Sequence, residues 1–186
     1  MGNLIFITGG VRSGKSAFAE KLAKQYYLEN NCCTLYYIAP GVAFDQEMKK
    51  RIIRHKLDRR QSGLNWTTIE IQHRLDFKVS EPQAVILWDC LTTWLNNVLF
   101  ATEHLAHKLR MIEIEKSIDS LKKRLLHWQE EQCSVLLVSN EVLDEQISSL
   151  PEVNLYCSLL GRLHQWIVEQ CDEAYEMDYS ISKRRK

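Results

Sequence analysis

The feature that most restricts this chain is an eight-residue string near its start, Gly9-Gly10-Val11-Arg12-Ser13-Gly14-Lys15-Ser16, which satisfies G-x-x-x-x-G-K-[ST]. It follows an apolar run, Asn3 to Thr8, and opens a segment, Ser13 to Tyr27, with Phe18, Leu22 and Tyr26 at helical spacing. A buried strand, a glycine turn and a helix in that order make a phosphate-binding loop. The glycines let backbone N–H groups close around phosphate oxygens, Lys15 supplies a point charge to the outer phosphates, and Ser16 offers a hydroxyl to Mg²⁺. The following helix points its positive N-terminus at the same anion. The plain alternative is a glycine-rich turn capped by Ser13 with an incidental lysine; the strand before and the helix after favour nucleotide binding.

The rest of the chain alternates in the same way. Leu35 to Ala39 reads as a strand stopped by Pro40-Gly41, Trp66 to Ile71 as a shorter and less buried one, and Ala84 to Asp89 and Ser134 to Ser139 as buried strands. Helical spacing runs through Phe44 to Arg60, Leu91 to Phe100 and about 154 to 170. Leu105, Leu109, Ile112, Ile118, Leu121, Leu125 and Trp128 mark the core stripe of a long amphipathic helix. A polar strand or tail follows. Strands alternating with helices predict a parallel sheet covered on both faces. With 186 residues, 7 Gly, 3 Pro and no linker-like tract, the expectation is a single domain over 1–186.

Charge removes two classes of function. Twenty-four Lys+Arg balance 24 Asp+Glu, so the net charge is zero and nothing draws the whole molecule to nucleic acid. No run approaches the roughly 18 apolar residues of a membrane span. The start of the chain has no basic n-region or cleavage site, so we read the protein as cytoplasmic. Its six cysteines form no C-x-x-C pair and read as free thiols. The balance conceals opposed regions: Lys49 to Arg60 holds seven Lys/Arg against Asp58 alone, and Asn140 to Glu152 holds four acids and no base. The basic end, Lys183 to Lys186, reads as a solvated terminus.

Asp89 closes an apolar strand, where an acid would hold the cation of a bound triphosphate, or would cap the next helix. His55 sits in a basic helical segment, where a solitary histidine ordinarily is a solvated surface residue. The wider pattern changes that reading. The phosphate loop, Tyr37-Ile38-Ala39, Asp45-x-Glu47-Met48, Arg51-Ile52-x-x-His55, Trp66-x-Thr68-x-Glu70, Asp89-Cys90-Leu91-Thr92-x-Trp94 and Asn140-Glu141-Val142 occur in one order along the chain. Together they resemble the bifunctional adenosylcobinamide kinase/adenosylcobinamide-phosphate guanylyltransferase family over almost its whole length.

The resemblance implies an α/β, P-loop NTPase-like (RecA-like) three-layer fold with a mostly parallel sheet. It implies that ATP or GTP phosphorylates adenosylcobinamide, and that GTP then guanylylates His55, which passes GMP to the phosphorylated product. The catalytic residues would be His55 and Lys15, with Mg²⁺ on Ser16 and Asp89. Gly9 to Ser16, Ala39, Pro40, Gly41, Glu70 and Asp89 would meet nucleotide, and Lys56 and Arg59 would offset charge on the transferred group. The substrates implied are ATP, GTP, adenosylcobinamide and its phosphate, and the assembly a homo-oligomer such as a trimer. Two other readings stand beside it: a P-loop kinase of another small molecule in which His55 is inert, and a GTP-binding regulatory or scaffold protein. The pattern departs at Cys157-Ser158, where the family has an Arg-Asp pair, at His164, in an asparagine place, and at Tyr175 to Ser180, where apolar residues and a glycine are usual.

Overall fold

The computed structural model describes residues 2–30, 34–41, 53, 56–57, 59–79, 81–142 and 148–186. Among these, seven strands form one sheet: β1 (Leu4–Gly9), β2 (Leu35–Ala39), β3 (Trp66–Glu70), β4 (Val85–Asp89), β5 (Ser134–Asn140), β6 (Glu173–Asp178) and β7 (Ile181–Arg184). Their order is β3-β2-β4-β5-β1-β6-β7. All neighbours run parallel except β6 and β7. The strands of near-continuous apolar residues, β1, β2, β4 and β5, are interior and buried, as such composition requires. β3 is exposed at Thr67, Thr68 and Glu70 because it is an edge.

Four described helices cover the sheet: α1 (Lys15–Glu29), α2 (Leu91–Thr102), α3 (His107–Glu130) and α4 (Pro151–Gln170). The two-residue side-chain period of the strands sorts the core into two layers. Ile5, Ile7, Leu87 and Val138 face α1, whose Ala19 and Ala23 let its backbone approach closely. Leu4, Phe6, Trp88 and Leu137 face α2, α3 and α4. On that side Trp88 meets Trp94 and Trp128 at centroid distances of 6.2 and 6.4 Å, contacts worth about 0.5–1.5 kcal/mol each beyond their area. The three-layer α/β arrangement agrees with expectation.

Three sequence readings need revision or lie beyond reach. The stripe on α3 is buried only from Ile114 onward, through Ile118, Leu121, Leu125 and Trp128. Leu109 and Ile112 are exposed, and Leu105 precedes the helix. A 24-residue helix spans about 36 Å, whereas strands of five to seven residues span roughly 17–24 Å, so the first turns of α3 overhang the sheet. The basic end is exposed, as expected, but is not a free tail. It contributes β7, where Lys183 lies opposite Glu176, and Arg185 pairs with Glu176. The acidic and basic stretches near the end of the chain thus offset one another. Of the helix expected over 44–60, the described residues Ile53, Lys56, Leu57, Arg59 and Arg60 are helical, and the others lie outside the described set. Cys90, Cys133, Cys157 and Cys171 are free thiols; Cys32 and Cys33 lie outside it.

Candidate nucleotide site

The phosphate loop leaves β1 at the C-terminal edge of the sheet and winds into α1. Gly14 adopts φ 89°, a left-handed conformation that glycine takes without strain. It also has no room for a side chain, since a Cβ there would stand 2.8 Å from Ser180 Oγ and 3.1 Å from Ser180 Cα. Gly14 occupies the N-cap of α1 without a side-chain cap, so the first amides of the helix are available to an anion. The buried Lys15 folds back across the loop, its Nζ donating to Gly10 O at 2.8 Å. Its charge therefore sits inside the loop. Ser16, one residue on, is half-buried.

The strand ends beside the loop carry the other expected residues. Asp89 ends β4, and the Tyr37 hydroxyl from β2 donates to its Oδ2 at 3.4 Å. Burial first, and the Asp89 carboxylate second, hold the Tyr37 phenol well above its ordinary range, so it remains a donor. Ala39 and Glu70 are register partners at the ends of β2 and β3. The Asn97 side-chain amide of α2 fixes the next residue, donating to Pro40 O at 2.8 Å and to Gln72 O at 3.3 Å. Gly41 is exposed with open space around it. Lys56 Nζ lies 2.7 Å from Glu70 Oε1 on the surface, which brings two of the expected nucleotide residues together.

Arg59 points elsewhere. Its guanidinium is buried, 3.2 Å from Glu20 Oε1 of α1 and 3.6 Å from the centroid of the Tyr37 ring. It fastens residues 59–61 to α1 and β2 through a charge pair and a cation–π contact. In this arrangement it supports the site from behind. His55 lies outside the described residues, as do Asp45, Glu47, Met48, Arg51 and Ile52.

The end of β5, between β1 and β4, adds polar groups whose contacts the sequence does not display, although Asn140, Glu141 and Thr92 belong to the motifs and His164 to the departures. Asn140 Nδ2 donates to Thr92 Oγ1 at 3.0 Å, and Glu141 N donates to Gly9 O at 2.9 Å. Ser139 Oγ lies 2.7 Å from His164 Nε2, with the imidazole edge-on to Phe6. Burial lowers the His164 pKa to about 4, so the ring is neutral at physiological pH. Beyond β1 on the other side, Ser180 N donates to Ser13 O at 2.9 Å, laying the β6–β7 turn against the phosphate loop. Asn97, absent from those motifs, carries a local sign in the sequence as an amide inside the apolar run of α2.

Comparison with known proteins identifies the family. Residues 5–182 match the family model described as cobinamide kinase / cobinamide phosphate guanyltransferase. The chain is 32% identical over 181 residues to the bifunctional adenosylcobalamin biosynthesis protein CobU of Salmonella typhimurium, covering 92% of this chain and 93% of that one. It is 34% identical over 171 residues to the bifunctional adenosylcobalamin biosynthesis protein CobP of Pseudomonas aeruginosa, covering 89% and 87%. Among solved structures, an ATPase from the type III secretion system of pathogenic bacteria aligns with 100% of this chain and 57% of its own, at 10% identity and a TM-score of 0.51. That likeness concerns the fold alone. The match over nearly the whole length decides the kinship: this chain belongs to the cobinamide kinase / cobinamide phosphate guanyltransferase family.

Proposed function

We propose that this protein phosphorylates the aminopropanol hydroxyl of adenosylcobinamide with ATP or GTP, and then transfers GMP from GTP to the product through His55. The observation that supports this is that the buried Lys15 inside its glycine loop, Asp89 at the end of β4 and the Lys56–Glu70 pair at the end of β3 all lie along one carboxyl-terminal edge of the sheet. Phosphoryl transfer depends mainly on positioning and charge neutralisation, which such a loop supplies. Ser16 and Asp89 offer oxygen donors, the type Mg²⁺ prefers; they would hold the ion, which would supply charge neutralisation to the phosphates.

In the second step an imidazole nitrogen of His55 attacks the α-phosphorus of GTP, and the bond to the β-phosphate oxygen breaks with release of pyrophosphate. A phosphate oxygen of adenosylcobinamide phosphate then attacks the same phosphorus. The N–P bond breaks, His55 is regenerated and adenosylcobinamide-GDP leaves. Support for His55 comes from its neighbours, since Lys56 is paired to the end of β3 and Arg59 to α1 behind the phosphate loop. A homo-oligomer, with a trimer as the form the resemblance implies, belongs to the same proposal. The exposed Phe100 of α2 and Leu109 and Ile112 of α3 support it.

The test supplies adenosylcobinamide with ATP, and then GTP, and follows both products by chromatography. Appearance of the phosphate and then the GDP derivative is expected. Phosphorylation of other small alcohols with none of the corrinoid would favour the kinase reading in which His55 is inert.

A further inference from the structure

Arg59 stands in the basic segment four positions after His55, yet it is only 3% exposed. Among the described residues its guanidinium meets Glu20 Oε1 of α1 at 3.2 Å and the face of the Tyr37 ring of β2 at 3.6 Å. That ring is itself held on two sides. Trp66 of β3 packs edge-on against it at 6.2 Å, and the Tyr37 hydroxyl donates to Asp89 Oδ2 of β4 at 3.4 Å.

The main chain of residue 59 is fixed separately. Arg59 O accepts from Ser62 N at 3.2 Å and from Ser62 Oγ at 2.6 Å, and Ser62 Oγ accepts in turn from Trp66 Nε1 at 3.3 Å. Side chain and backbone together tie this one residue to α1, β2 and β3. Four residues span at most about 14 Å of chain, so the anchor limits where position 55 can lie. Lys56, paired to Glu70 at the end of β3, adds a second and exposed tether. A guanidinium engaged in this way is not available to a phosphate, because drawing it out breaks a buried charge pair.

We propose that Arg59 serves guanylyl transfer as a positioning residue: with Glu20 and Tyr37 it holds the His55-bearing segment within reach of the α-phosphate, and it contributes no charge to the transferred group. This rests on the reading of His55 as the residue whose nitrogen attacks the α-phosphorus of GTP and expels pyrophosphate. It replaces the role that the resemblance implied for Arg59 and leaves that role to Lys56.

The test uses the full-length protein and the variants Glu20→Met, Arg59→Met and the two combined. It reads the single-turnover rate of GMP-adduct formation at saturating GTP, and the calorimetric affinity for inorganic tripolyphosphate with Mg²⁺. Methionine is unbranched like both side chains and gives Tyr37 a sulfur contact, and replacing both members of a buried pair by apolar groups is often neutral. Glu20→Met keeps the guanidinium but unfastens it. Its adduct rate is expected to fall about a hundredfold, with tripolyphosphate affinity at the wild-type value. Arg59→Met should be as slow, whereas the double variant should recover to within about tenfold of wild type despite having no charge at position 59. Melting temperatures establish that each variant is folded, and the double variant decides alone if a single one melts below the assay temperature. A wild-type adduct rate in Glu20→Met, an equal loss of tripolyphosphate affinity, or a double variant about a hundredfold slower than wild type would overturn the proposal. A wild-type protein that forms no adduct would overturn the reading of His55, and the proposal with it.

Discussion

Arg59 and Lys56 are three positions apart and both basic, yet their surroundings assign them different work. The Arg59–Glu20 pair is buried, with side chains 4% and 10% exposed, and removing one member strands a charge away from water. Arg59→Ala is therefore expected to cost about 3 kcal/mol, or roughly 6–12 °C of Tm. The Lys56–Glu70 pair is 42% and 67% exposed, so Lys56→Ala should change stability by less than about 1 kcal/mol. It should instead weaken nucleotide binding. Thermal melts and calorimetry on the two variants check this, and a Tm unchanged in Arg59→Ala would contradict the buried-anchor assignment. His164 gives a pH dependence. Its pKa of about 4 in the fold lies below the ordinary 6.5, so the unfolded chain takes up the proton first as pH falls. Its stabilising contribution is complete above pH 6.5 and is lost between 6.5 and 4. Relative to His164→Asn, the wild-type protein should lose about 2 kcal/mol between pH 7 and pH 5, read from melts across that range.

At the scale of elements, the glycine loop depends on backbone freedom that the sequence displays directly. Gly14→Ala should abolish triphosphate binding, because the new Cβ meets Ser180 and the residue is strained at φ 89°. Adding Ser180→Gly opens space but leaves the strained φ, so tripolyphosphate binding should recover only in part; full recovery would show that crowding alone was responsible. The strands and α1, α2 and α4 were legible because their patterns are local: apolar runs for the sheet, three-to-four spacing for the helices. The overhang of α3 was not, since a stripe of apolar residues does not record where the neighbouring sheet stops. Nor were Glu20 beneath Arg59, Asn97 holding Pro40, or Ser180 against Ser13. Each joins segments far apart in the chain, and only the order of strands brings them together.

Across the whole molecule, the parallel sheet gathers the ends of β1 to β5 at one edge, and that edge collects Lys15, Asp89, Glu70 and Lys56 beside the neutral polar groups of β5. Ligand crevices of such sheets form outside the carboxyl ends of the strands. The zero net charge is likewise distributed, with the acids of β6 facing the bases of β7 at one side of the sheet and Lys56 and Arg59 beside β3 and β2 at the other. No helix among the described residues is long and apolar enough to cross a membrane. The proposed second step has GTP leave its GMP moiety on His55. Incubation with GTP labelled on the α-phosphate tests that most directly. The account predicts an acid-labile, base-stable protein adduct that is absent in His55→Ala. No adduct in the wild-type protein, or one that persists in His55→Ala, would contradict it.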